Sequence, residues 1–149
     1  RGGPPAFVRI NQGIVAARSP AEVLELCGRH LAEFDPVNLA TAIHRIAKCR
    51  YAARPSEPGD ALRGLLDRIA ESVKELGSQA LANTAWSLAT MRCSDGPLLH
   101  AIASSAISTL SATARVQELS NTAWAFAALR MVHPPFLEAI SASAQRLIL

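Results

Sequence analysis

The sequence predicts an all-α protein: an α-solenoid of stacked antiparallel helix pairs, about three and a half repeats long. Three observations predict it. Hydrophobic residues make up 50% of the 149 residues but aromatics only 5%, so the apolar content is mostly Ala, Leu, Ile and Val. That mixture favours close helix packing over a sandwich of strands, which draw on β-branched and aromatic side chains. Apolar positions recur at three-four spacing, as in Leu62, Leu65, Leu66, Ile69, Val73 and Leu76. Finally, the chain repeats itself. Gln79–Arg92 returns as Gln117–Arg130, a shift of 38 with eight of fourteen positions identical.

The elements follow in order. Residues 1–18 open on Gly and Pro and read as a linker or N-terminal extension, with Ile10–Ala17 able to add one short helix. Residues 19–149 read as the helical-repeat domain of a longer chain. First-type helices are expected at about 20–34, 60–76, 97–111 and 135–149, from Pro in the first turn and Gly after the last, Gly77 ending the second. Second-type helices are expected at about 36–49, 78–92 and 115–130. The first of these is a degenerate copy, aligning Leu39, Ala47 and Arg50 with Leu81, Ala89 and Arg92 at a shift of 42. The polar Tyr51–Gly59 stretch absorbs the extra length. Neither helix of a pair buries its apolar stripe alone, so neighbouring pairs must cover it. Helix content above about two thirds and no sheet are expected.

Charge narrows the function. Net charge is +3 and the pI is near 9.1, and all cations but Lys48 and Lys74 are Arg, the residue suited to forked phosphate contacts. Second-type segments hold Arg45, Lys48, Arg50, Arg92, Arg115 and Arg130 against Glu118 alone. First-type segments hold five cations (Arg29, Arg63, Arg68, Lys74, Arg146) and eight acids. One layer is basic, and a polyanion should meet it. Arg50, Arg92 and Arg130 close the three second-type helices, either complementing the helix dipole or forming a ladder along a phosphate backbone. Thr84, Ser87, Thr90 and Thr122 read as small exposed positions whose hydroxyls could meet base edges.

Trp86 and Trp124 recur where the first copy has His44. Either the rings pack between repeats, buried in equivalent places, or they form a base-stacking platform. Asn83 and Asn121 recur mid-helix, where Asn is a poor helix former. A side-chain bond to a neighbouring backbone would account for them, and direct ligand contact is the alternative.

Other classes find no support. Three cysteines (Cys27, Cys49, Cys93) are odd in number, far apart and without a CxxC pair, so neither a disulfide framework nor a zinc site is indicated. The four His are scattered, no nucleophile elbow or phosphate loop occurs, and no catalytic residue, metal or cofactor is expected. Asp67 and Glu71 share a helix face with Arg63, Arg68 and Lys74, as a solvated surface does. No apolar run approaches the roughly 18 residues of a bilayer span, so no membrane insertion is expected. Mean hydropathy of +0.18 with 18% charged residues excludes disorder.

The repeated Gln-x-Leu-(Ala/Ser)-Asn-Thr-Ala-Trp-x-x-Ala-x-x-Arg helix, on a period near 38, resembles the octotricopeptide repeat of organellar RNA-binding proteins, including those that carry a RAP domain. The resemblance spans roughly residues 20–149. It implies paired helices that bind single-stranded RNA in a chloroplast or mitochondrion and act in RNA stabilisation, processing or translation. Val37 and His44 depart from it, standing where the other copies have Gln and Trp. The competing class is a protein-binding or structural α-solenoid, such as an organellar ribosome component with ribosomal protein partners.

Overall fold

The computed structural model describes residues 2–49, 59–113 and 115–149. Among them are eight α-helices and no strand, and 81% of residues are helical, above the fraction expected. The helices are α1 (Ala6–Ala16), α2 (Pro20–His30), α3 (Pro36–Lys48), α4 (Asp60–Ser72), α5 (Ser78–Thr90), α6 (Gly96–Thr113), α7 (Val116–Ala128) and α8 (Pro134–Ile148).

Local chemistry sets the starts. Ser19 accepts a bond from the Glu22 N–H, and Pro20 supplies the first turn of α2. Asp35 and Asn38 form a reciprocal box at α3, with Asn38 N–H donating to Asp35 at 2.7 Å and Asp35 N–H to Asn38 at 3.2 Å. Asp95 caps α6 through the Leu98 N–H. The ends of α2 and α4 match: each tightens into a 3₁₀ turn, Leu31–Glu33 and Val73–Glu75, then turns extended at the buried Phe34 and Leu76. Gly77 does not end α4 as a left-handed cap. It is extended, with φ −73°, and caps the N-terminus of α5 instead.

The odd-numbered helices lie in one row, α1 against α3, α3 against α5 and α5 against α7. The even-numbered helices form a second row in the same manner, and α3 packs on both α2 and α4 across the rows. The core runs between the rows. Leu39, Ile43 and Ile46 of α3, Leu62, Leu65, Leu66 and Ile69 of α4, and Leu81 and Leu88 of α5 are almost wholly buried. Each such side chain contributes about 2 kcal/mol of transfer free energy.

The N-terminal segment departs from the linker reading. Residues 6–16 form the full helix α1, with Ile10 and Ile14 buried, and α1 joins the odd row beside α3. Pro5 precedes it and the Gly-Pro opening ends there. No helix among the described residues is long and apolar enough to cross a membrane.

Candidate nucleic-acid interface

The odd row carries the cations singled out above, and the structure sorts them into three groups. Arg92 and Arg130 stand just past the ends of α5 and α7, exposed, with φ of 55° and 53°. Paired backbone bonds close both helix ends. Cys93 N–H donates to Leu88 C=O at 2.8 Å and Arg92 N–H to Ala89 C=O at 3.0 Å; Met131 to Phe126 and Arg130 to Ala127 repeat the pattern. That left-handed position is ordinarily held by Gly, and a residue with a Cβ costs about 1 kcal/mol there. Dipole complementarity needs no such strain, since any residue of the last turn provides it. Lys48, exposed in the last turn of α3, lies at the same edge, while Arg50 falls outside the described residues.

Arg45 and Arg115 do not join that edge. The Arg45 guanidinium donates twice to Ala17 C=O, at 3.2 and 2.9 Å, and so satisfies the orphan carbonyl at the end of α1. Arg115 caps the start of α7, where its N–H donates to Glu118 Oε2 at 3.1 Å. A helix of 13 residues puts it about 20 Å from Arg130. Among the described residues the cations of this layer therefore form two edges and one structural clasp.

The hydroxyls are corrected further. Thr84, Ser87 and Thr122, expected exposed, are buried, and each donates to the carbonyl four residues back: Ala80 at 2.7 Å, Asn83 at 2.6 Å and Glu118. They share the inward face with Leu81, Leu88 and Leu119, so none offers a hydroxyl to a ligand. Thr90 alone of the four is exposed.

Amides take their place. Asn83 and Asn121 make no side-chain hydrogen bond among the described residues, against the expectation of a backbone bond. Instead they line grooves between consecutive odd-row helices. Sequence reasoning missed these grooves because each is built from residues some forty positions apart. The signal was Asn at an unfavourable position, twice.

Two of the grooves are equivalent by repeat register. Between α3 and α5, Val37, Ala40 and Thr41 face Gly77, Gln79, Ala80 and Asn83. Between α5 and α7, Gln79, Ala82 and Asn83 face Arg115, Gln117, Glu118 and Asn121. The first encloses about 430 Å³ and the second about 80 Å³. Gly77 and Ala80 become Arg115 and Glu118 in the second, and those longer side chains fill it. His44 also lines the wider groove, with its ring 5.2 Å from that of Trp86. Burial foremost, and then the nearby Lys48 ammonium, holds its pKa below 6.5, so the ring is neutral near pH 7.

Trp86 is half-buried and packs on the core, but Trp124 is 50% exposed. The burial expected of both rings fails for Trp124, whereas Trp86 packs against the His44 ring of α3.

The even row contrasts with this. Among the described residues the ion pairs are Arg29–Glu25, Arg63–Asp95 and Arg68–Glu71, all on or beside even-numbered helices, where His30 is also hydrogen-bonded to Glu33. Arg146 donates to Ser143 at 2.8 Å. Lys48, Arg92 and Arg130 have no such partner among the described residues. Structure also brings His100 and His133 to 5.1 Å between rings, though no group of three metal-binding side chains gathers among the described residues. Comparisons with known proteins find no matching family model, curated protein or solved structure.

Proposed function

We propose that this chain is a single-stranded RNA-binding module, an α-solenoid of stacked antiparallel helix pairs of the octotricopeptide-repeat kind, acting in organellar RNA stabilisation, processing or translation and without catalysis of its own. The observation that carries the reading is the pair Arg92 and Arg130. Two arginines recur where Gly would relax the backbone, both exposed and both without an ion-pair partner among the described residues. Strain retained twice at one repeat position points to a use for the side chain, and a free guanidinium is suited to phosphate. The unpartnered Asn83 and Asn121 amides on the same helices supply groups for base edges. In the even row Arg29, Arg63 and Arg68 are paired to its own acids, which leaves that row less to offer a polyanion.

Salt dependence tests the reading. Binding through about three phosphates gives a slope near −2 in log K against log salt for a single strand. A slope near zero, with a protein ligand bound instead, favours the alternative of a protein-binding solenoid. That alternative draws on the exposed Trp124, Val116 and Leu137 at the α7–α8 end.

A further inference from the structure

We propose that the groove between α3 and α5 takes a purine base of the bound strand, read at N7 by His44 and at its exocyclic group by the Asn83 amide. The proposal rests on the RNA-binding reading and adds a base preference at one place in the row.

Size comes first. At about 430 Å³ the α3–α5 groove falls within the range of small-molecule sites, whereas the equivalent α5–α7 groove, at about 80 Å³, falls far below it. The two therefore do not serve alike. Where the full repeat has filled its groove with Arg115 and Glu118, the degenerate first copy leaves it open beside Gly77 and Ala80.

Chemistry comes next. Val37, Ala40 and Ala80 give the groove an apolar lining for the faces of a flat ring. Two polar groups remain for its edge. The Asn83 amide offers both a donor and an acceptor, and no side chain or backbone group among the described residues engages it. The His44 Nδ1 is buried without a partner, which leaves Nε2 as the nitrogen a ligand can reach. With no acceptor at the buried Nδ1 to receive a proton, the neutral ring carries it on Nε2 and is a donor there, and the ring packs on Trp86. A donor beside an amide matches N7 and the neighbouring exocyclic group of adenine or guanine. A pyrimidine has no N7. The Thr41 hydroxyl is already given to Val37 C=O at 2.7 Å and takes no part.

The test uses short oligoadenylate, its 7-deazaadenosine analogue and oligouridylate, with affinity read by fluorescence anisotropy. One lost hydrogen bond of ordinary strength is worth about fivefold. Oligoadenylate should bind about fivefold tighter than either of the others. The double variant Gly77→Arg/Ala80→Glu copies the narrow groove into the wide one. A Cβ at Gly77 meets no atom within 4 Å, so the fold tolerates it. This variant should bring the three ligands to within about twofold of each other, while oligouridylate affinity, carried by the arginine edge, changes by less than about threefold. His44→Phe, which keeps a ring against Trp86, should do the same. Equal binding of oligoadenylate and its 7-deaza analogue overturns the proposal and leaves the RNA-binding reading standing, as does a preference that survives the filled groove. Absence of binding by all three oligomers overturns both. Adenosine monophosphate separates strand from free nucleotide: if it alone shifts the His44 nitrogen resonances and no oligomer binds, the site belongs to a mononucleotide and the strand proposal fails.

Discussion

Helices α5 and α7 carry nearly the same sequence and live in different surroundings. What they share follows from the sequence they share. Both end on a left-handed Arg with the same two closing bonds, both return a Thr hydroxyl to their own backbone, and both leave an Asn amide unengaged. What differs follows from neighbours. Ala82 and Ala89 are buried in α5, while their equivalents Ser120 and Ala127 are exposed in α7. The Trp86 ring lies 5.2 Å from the His44 ring of α3, whereas Trp124 is 50% exposed. Repetition fixes the backbone and the C-terminal closing bonds; the N-terminal cap and the burial differ between the copies.

The sharpest way to break the comparison is to truncate the two rings separately. Trp86→Ala should cost about 3 kcal/mol and Trp124→Ala about 1 kcal/mol or less, measured by denaturant unfolding. Equal costs would show that both rings have the same environment in solution. Next in size is the arginine edge. Converting Arg50, Arg92 and Arg130 together to Gln should weaken RNA binding about tenfold and flatten the salt slope by about two units, whereas the even-row set Arg63, Arg68 and Arg146 should change it little. A larger loss from the even-row set would reverse the assignment of the binding face.

A smaller effect separates strain from function. Arg92→Gly and Arg130→Gly should each raise stability by roughly 0.5–1 kcal/mol, alike in the two helices, while lowering RNA affinity. If either glycine destabilises, the positive φ is not the solution conformation. The smallest effect is a pH dependence confined to α3. Because the folded pKa of His44 lies below its unfolded value of 6.5, the unfolded chain binds the proton first. Stability should therefore be highest above pH 6.5 and decline as pH falls through the lowered folded pKa. The groove residues of α5 that it faces, Gln79, Ala80 and Asn83, are uncharged, and Lys48 on its own helix adds repulsion when it protonates. His44→Phe should remove that part of the pH profile in thermal melts; an unaltered profile would place the titration elsewhere.

The sequence made the second-type helices legible to within about two residues, because Pro36, Gly77 and the recurring Arg mark their ends. It also marked Arg50, Arg92 and Arg130 as one recurring set, though not the left-handed backbone of Arg92 and Arg130. The hydroxyls misled because they were judged by size and polarity. Thr84 follows Leu81 by three, which places it on the buried face whatever its chemistry. Helix α1 was obscured by the Gly and Pro residues ahead of it. The grooves were beyond reach, since Gly77 and Ala80 are unremarkable until Val37 and His44 stand opposite them.

The two side chains by which α3 holds α1 have a consequence for how α1 opens. Asn38 donates to Phe7 C=O at 3.0 Å near one end of α1, and Arg45 grips Ala17 C=O at the other. An isolated helix of 11 residues is marginal in water, so α1 draws its order from these anchors and from Ile10 and Ile14. Release of α1 takes from the Asn38 amide nitrogen and the Arg45 guanidinium the acceptors that α1 supplies, which makes detachment costly for α3 as well. Amide exchange across residues 6–48 should accordingly show one cooperative opening rather than progressive fraying, and protease should find no early cut within α1.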